Sequence, residues 1–372
     1  MSHHTDHSRR HSSPSAKKHP HRKRRDSKDS HDKKHHENHQ DGNMYRLEKL
    51  PAVIGGTVKG VPKREFDPEK SAEELRNAFK GLGTDEKTII NILSSHTNLQ
   101  RQAIKKKYKT MYGKDLISDM EDELGGHFLD LVLALMCPAH FYDAHVVRKA
   151  IVGAGTDEKT LIEMLCTRSN SELALLREAY FAEFRRNLEG DILSDTSGEF
   201  SRLLVSMLNA ERDDTDEIDW KLAEKDAQKL QAAGIDKLGT DEHVFNHIMC
   251  LRSMGQLRAT TEEYKRLTKR DIENDIRKEF SGDLRDALLS IVKIAKSPSF
   301  FFAEILHEAM KGAGTQDETL IRVVVSRSEI DLEDIKEEYQ TRYKKTLAKA
   351  IKDDTSGDYS RLLLKIVHPR GS

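Results

Sequence analysis

One short pattern constrains this chain more than any other feature. A glycine, any residue, a second glycine and a threonine are followed at a fixed distance by a single acid. Gly81-Leu82-Gly83-Thr84 is followed by Glu123, thirty-nine residues after the threonine. Gly153-Ala154-Gly155-Thr156 is followed by Asp195, and Gly312-Ala313-Gly314-Thr315 by Asp354, at the same distance. A variant, Lys237-Leu238-Gly239-Thr240, is followed by Glu279. With the four threonines in register, His96, Arg168, Arg252 and Arg327 align twelve residues on. Tyr108, Tyr180, Tyr264 and Tyr339 align at twenty-four, and Gly126, Gly198, Gly282 and Gly357 at forty-two. No gap is needed, so the body is four homologous units of about seventy residues.

Each unit reads as helical. Apolar residues recur at three- and four-residue intervals, as in Ile89, Ile92 and Leu93 or Leu320, Val323 and Val324, and strand-type alternation is absent. The fold class expected is all-α. The units span 66–136, 138–208, 221–293 and 296–369. Threonine spacings of 72, 84 and 75 residues place the longest connection, 209–220 with its polar core 211–219, between units two and three. That implies two halves. Asp67-Pro68 and Ser297-Pro298 have the form of helix starts, with a side-chain cap followed by proline in the first turn.

Residues 1–62 form a tail and linker. The first forty-three are His-, Lys-, Arg-, Ser- and Asp-rich and hold eleven Lys/Arg against six Asp/Glu, a net of +5; the remainder therefore carries −6 of the chain's formal −1. With no large apolar residue after Met1, that segment cannot offset its ordering entropy and is expected to be disordered. Arg22-Lys23-Arg24-Arg25 forms a basic patch suited to nuclear import, nucleic acid, anionic lipid or a protein partner, and Ser12, Ser13 and Ser27 are placed for phosphorylation beside it. His31, His35 and His39 have zinc-ligand spacing on a helix, with a solvated basic tail as the simpler reading.

Locally, the Gly-x-Gly-Thr stretch is a helix corner: glycines supply positive φ, and the threonine is expected to cap the next helix. Thr315 and Glu318 have capping-box spacing. An ordinary corner would explain one copy. Four copies, each with an acid just before a second glycine-containing corner, ask for more. Two adjacent corners would bring backbone carbonyls and one carboxylate together, and no copy offers His or Cys there. All-oxygen ligation with few charges suits calcium, bound with modest affinity and completed by water or a lipid head group.

These repeats resemble those of the annexins in their Gly-x-Gly-Thr-Asp-Glu stretches, the acid at thirty-nine, the Asp-Thr-Ser-Gly corners and Ser-Arg-Ser-Glu at 326–329. The resemblance implies five helices per repeat in a slightly curved disc, with calcium loops on the convex face meeting acidic phospholipid. By that pattern the carbonyls of Phe79, Gly81 and Gly83 would act with Glu123, and those of Ile151, Gly153 and Gly155 with Asp195. Gly234, Lys237 and Gly239 would act with Glu279, and Met310, Gly312 and Gly314 with Asp354. It also implies a central hydrophilic channel lined by Asp143, Glu163, Arg168 and Arg322, for which an ion-pair cluster orienting the halves is the alternative. Self-association on membranes fits the same resemblance. Unit two replaces a loop lysine by Val152, unit three has Leu238 where relatives often carry tryptophan, and His96 stands where the other units have arginine.

No nucleophile–base pair, phosphate loop or HExxH pattern points to an enzyme. A helical protein-interaction scaffold is the rival reading, but it leaves the four acids without a purpose. Cys137, Cys166 and Cys250 sit in apolar runs and read as buried thiols of a reducing compartment. With no leader and no long apolar run, the expected location is cytoplasmic and peripheral on membranes when calcium rises, with nuclear or unconventional extracellular presence as further options. Deleting residues 1–43 is expected to leave calcium-dependent vesicle binding unchanged, measured by co-sedimentation, while altering any calcium-free attachment.

Overall fold

The computed structural model describes residues 55–368 apart from Leu82, Ala154 and residues 235–238. The tail readings and the Lys237 and Leu238 assignments lie outside that set. The described residues form twenty helices and no strand. The first five are α1 (Pro68–Ala78), α2 (Glu86–Ser95), α3 (Asn98–Tyr112), α4 (Leu116–Glu123) and α5 (Gly126–Met136). The same five-helix order recurs as α6 (Ala139–Ile151), α7 (Glu158–Thr167), α8 (Asn170–Phe184), α9 (Leu188–Asp195) and α10 (Gly198–Leu208). It recurs again as α11 (Trp220–Ala233), α12 (Glu242–Leu251), α13 (Met254–Thr268), α14 (Ile272–Glu279) and α15 (Gly282–Lys296). The last set is α16 (Pro298–Ala309), α17 (Asp317–Arg327), α18 (Leu332–Tyr343), α19 (Leu347–Asp354) and α20 (Gly357–Val367). Asp67 and Ser297 cap α1 and α16 as their sequences imply.

The repeats pack in pairs. Helix α2 lies on α20 and α5 on α17, which joins repeats 1 and 4. Equivalently, α7 lies on α15 and α10 on α12, which joins repeats 2 and 3. Aliphatic side chains such as Leu75, Leu131, Leu165, Leu288 and Leu362 are fully buried. At about 1.5–3 kcal/mol per buried large side chain, this packing is the main stabilising term.

One extended segment clips each pair. At the start of the described chain, Val58 donates its amide to the Ser328 carbonyl (2.9 Å) and Gly55 donates to Asp334 (3.0 Å). Gly56 has to be glycine, because a Cβ there would lie 2.3 Å from the Glu329 backbone. Further along, Val61 and the Gln100 side chain exchange two hydrogen bonds (3.0 and 2.6 Å). In the connection between repeats 2 and 3, Asp219 and the Gln256 side chain make the same exchange (2.9 and 2.8 Å); this longest connection therefore lies within a packed pair and does not separate two halves as its length implied. Gln100 and Gln256 both lie sixteen residues after their threonines.

The arginines twelve residues after the threonines are interior anchors. Arg168 grips Asp143 (2.7 and 2.9 Å), and Arg252 grips Asp226 (2.5 Å). In repeat 4 the aspartate position is Phe302; Arg327 lies over that ring at 4.6 Å and pairs with Asp331 instead. Repeat 1 has Ser71 there, and His96 needs no counter-charge: burial lowers its pKa, its Nδ1 meets the Ile92 carbonyl (2.7 Å), and its ring edges against Phe66. The aligned tyrosines also have partners. Tyr108, Tyr180 and Tyr264 donate to Asp119, Asp191 and Asp275, each eleven residues on.

The two pairs meet through Arg322 of repeat 4 and Glu163 of repeat 2 (3.0 and 2.8 Å), both buried. Beside them lies a cleft of about 980 Å³, lined by Asp130, Tyr142, Lys149, Glu318 and Arg322 among others. Of the four residues assigned to a central channel, only Arg322 lines this cleft; Asp143, Glu163 and Arg168 are held in ion pairs. Cys166 and Cys250 are buried and Cys137 is half-buried at the cleft wall. Replacing Arg322 alone by Met is expected to cost about 3–5 kcal/mol in urea unfolding, because Glu163 is left buried and unpaired, whereas Arg322→Met with Glu163→Leu is expected to be near neutral.

Candidate metal centre at the paired corners

Every repeat turns between its first two helices in the same way. The residue after the threonine donates its amide to an alanine carbonyl in the last turn of the first helix. The four bonds are Asp85 to Ala78 (3.0 Å), Asp157 to Ala150 (2.9 Å), Asp241 to Ala233 (2.9 Å) and Gln316 to Ala309 (2.8 Å). The closure survives one extra residue in the third repeat. Within the turn, Gly81 and Gly83 have φ of 111° and 92°, Gly153 and Gly155 135° and 98°, and Gly312 and Gly314 107° and 94°. A Cβ on any of these six would meet nothing within 4 Å. Conformation, not space, therefore demands glycine here. Phe79 and Ile151 are buried and pin the start of their loops, and Met310 packs against the core. Gly234, the equivalent in repeat 3, has Phe245 beside it instead of a side chain of its own.

The threonine does not cap the following helix. It stands one residue too early, and Asp85 and Asp157 occupy the cap, accepting from the amides of Thr88 and Thr160 (3.1 Å each). In repeat 4 the cap position is Gln316, and Glu318 closes no capping box with Thr315; it accepts instead from Lys149 of repeat 2 (2.6 Å). Freed of that duty, the hydroxyl reaches the acid thirty-nine residues on. Thr84 donates to Glu123 (3.1 Å), Thr156 to Asp195 (2.7 Å), Thr240 to Glu279 (3.3 Å) and Thr315 to Asp354 (2.6 Å). The two corners of each repeat are thus side by side.

Each acid is the last residue of an eight-residue helix, α4, α9, α14 or α19. That is the negative end of the helix dipole, where a carboxylate is disfavoured by roughly 0.3–1 kcal/mol and a cation is favoured by as much. Glu123 and Asp195 are exposed, and Glu279 and Asp354 half-exposed. Among the described residues, no three His, Cys, Asp or Glu side chains converge on a possible ion position. One carboxylate beside a glycine turn fits a hard oxygen-seeking cation whose other ligands are carbonyls and water. It does not fit a site of nitrogen or sulfur ligands.

A feature of the seam between repeats 1 and 4 escaped the sequence reading. Glu123 and Asp354 line one depression of about 490 Å³, together with His127, Asp317 and Tyr359. The His127 ring spans from Asp130 (3.1 Å) to Asp317 (3.3 Å). The signal was present: forty-three residues after the threonine the other repeats carry Glu199, Asp283 and Asp358, and only the first carries histidine.

Comparison with known proteins agrees with the four-repeat helical fold. The annexin family model matches residues 70–135, 142–207, 225–291 and 301–366. Human annexin A7 is 51% identical over 319 residues, which is 85% of this chain and 65% of that protein. The chain thus spans less than two thirds of that relative's length. The solved structure of annexin III superposes with a TM-score of 0.82 at 44% identity, covering 84% of this chain and 97% of that one. Calcium-bound annexin (Sm)1 superposes with a TM-score of 0.76 at 35% identity, covering 84% of this chain and 92% of that one.

Because left-handed φ alone selects the corner glycines, Gly155→Ala is expected to lower the stability of the metal-free protein by about 1 kcal/mol, read from the urea midpoint. Gly155→Asn is expected to cost less, since asparagine tolerates this region.

Proposed function

The chain belongs to the annexin family, whose general activity is calcium-dependent phospholipid binding, and on that premise we propose that its four paired corners attach it reversibly to anionic membrane surfaces. The observation that carries the reading is the set of four threonine–acid hydrogen bonds, which put a carboxylate at the mouth of every glycine turn. In each corner the acid would be the one charged ligand. The loop carbonyls assigned by family pattern would be the neutral ones: Phe79, Gly81 and Gly83; Ile151, Gly153 and Gly155; Gly234, Lys237 and Gly239; Met310, Gly312 and Gly314.

Charge explains why such a protein would wait for calcium. Outside the first forty-three residues the chain carries −6, and beside a surface at about −30 mV it is repelled by up to roughly 4 kcal/mol before screening. Four bound calcium ions would supply about +8 and leave coordination positions for lipid phosphate oxygens. The threonine hydroxyl holds each carboxylate facing the turn, so little side-chain entropy remains to be lost when an ion arrives. The reading is of a binding protein, not a catalyst. Among the described residues no helix is long and apolar enough to cross a membrane, which suits peripheral attachment.

Phosphatidylserine vesicles are expected to pellet the protein in calcium and release it on chelation; equal pelleting in both conditions would defeat the proposal. Glu123→Gln combined with Asp354→Asn is expected to raise the calcium needed for half-binding several-fold, while an unchanged calcium curve would remove these acids from the ligand set.

A further inference from the structure

At the seam between repeats 1 and 4, His127 is held from behind and aimed forward. Its Nδ1 is hydrogen-bonded to Asp130, three residues on in α5 (3.1 Å), which places the ring proton at Nδ1 and the lone pair at Nε2. Nε2 then faces the Asp317 carboxylate of repeat 4 at 3.3 Å. Two electron-pair donors pointed at one another repel unless a cation lies between them. A proton on Nε2 is the simplest such cation, but it draws an imidazolium and a carboxylate to about 2.7–2.9 Å. Two ligands of one tetrahedral zinc ion, each about 2.0–2.1 Å from the metal, stand roughly 3.3 Å apart. The carboxylate behind the imidazole completes the acid–histidine–metal order in which such sites are built.

A second observation points to the same place. Tyr359 lines the depression, is 8% exposed, and sets its ring against that of His127 (centroids 5.7 Å apart). Its hydroxyl lies near Asp317 yet makes no hydrogen bond. A buried donor left unmet asks for a partner, and water on an ion between His127 and Asp317 would supply one. The field is also right. Glu86, Glu123, Asp354 and Asp358 line the depression with Asp317, and no lysine or arginine does. Five carboxylates outweigh the positive ends of α5, α17 and α20, which begin there with about half a charge each.

We propose that this seam binds a divalent metal ion of the zinc class: His127 Nε2 and Asp317 are its protein ligands, Asp130 orients the imidazole, and water beside Tyr359 completes the shell. The site does not depend on the lipid-binding reading and differs from the corners in chemistry. An imidazole nitrogen suits zinc, whereas calcium and magnesium take oxygen. The equivalent pair across the depression, Glu86 and Asp358, is acid against acid and lacks that nitrogen. With two protein ligands instead of the three or four of a zinc centre, affinity is modest. The ion would join the first repeat to the last, so its binding would add to the stability of the fold.

The test follows the thermal unfolding midpoint of the full chain, freed of calcium, with zinc chloride or magnesium chloride added. Zinc at about 100 μM is expected to raise the wild-type midpoint by roughly 2 °C, and magnesium to leave it unchanged. His127→Gln is expected to lose the zinc shift, and Asp317→Asn to weaken it. Histidines of the tail are the same in every chain, so zinc held there cancels from the comparison. Should His127→Gln alter the zinc-free midpoint, calorimetric titration of the folded proteins with zinc chloride decides, with about one equivalent fewer expected in the variant. An equal zinc shift or equal stoichiometry in His127→Gln would assign the ion to other groups and overturn the site. No zinc shift in the wild type would overturn it too, leaving His127 and Asp317 an ordinary protonated pair.

Discussion

The hydrogen bond from a corner threonine to an acid thirty-nine residues away is the contact on which the rest of the arrangement turns. It ties the loop between the first two helices of a repeat to the end of the fourth, and it does so four times at 2.6–3.3 Å. Two costs are concentrated there. Several glycines hold left-handed backbone, and a carboxylate sits at the negative end of a short helix. Neither helps the apo fold, and both are offset by the buried helices behind them. These are the costs that a cation bound at the proposed sites would offset.

Behind the corners the repeats diverge, because each solves its own packing problem. The arginine of repeats 2 and 3 meets an aspartate on the first helix, that of repeat 4 meets the aspartate four residues on and an aromatic ring, and repeat 1 dispenses with charge through Ser71 and His96. Homologous positions therefore have unlike electrostatics. The same divergence at the surface leaves Val152 and Leu193 of repeat 2 exposed.

Much of this was legible in the chain. Helical periodicity, repeat register, the positive-φ glycines and the proximity of loop and acid all followed from spacing. The threonine was misassigned because Asp85, Asp157 and Asp241 follow it directly, and a string of two capping residues does not say which one is the cap. The tyrosines stand in register in all four repeats, but their aspartate partners eleven residues on do not, since repeat 4 has Ala350 in that place. The clip from Val58 to Ser328 joins residues about 270 apart through backbone atoms, which carry no sequence signature. His127 shows that a departure from a repeat pattern can mark a seam.

The pairing of repeats sets an order of assembly. Repeats 2 and 3 are neighbours along the chain, so their interface closes over a connection of modest length. Repeats 1 and 4 are separated by the whole of that module, and their interface is the long-range closure. Entropy disfavours such a closure until the intervening chain is compact, which makes it the late and slow step. During synthesis, the faces of α2 and α5 that belong against α20 and α17 have no partner until the last repeat has emerged. The first repeat to be made is the last to be covered, and in that interval its apolar face is open to water.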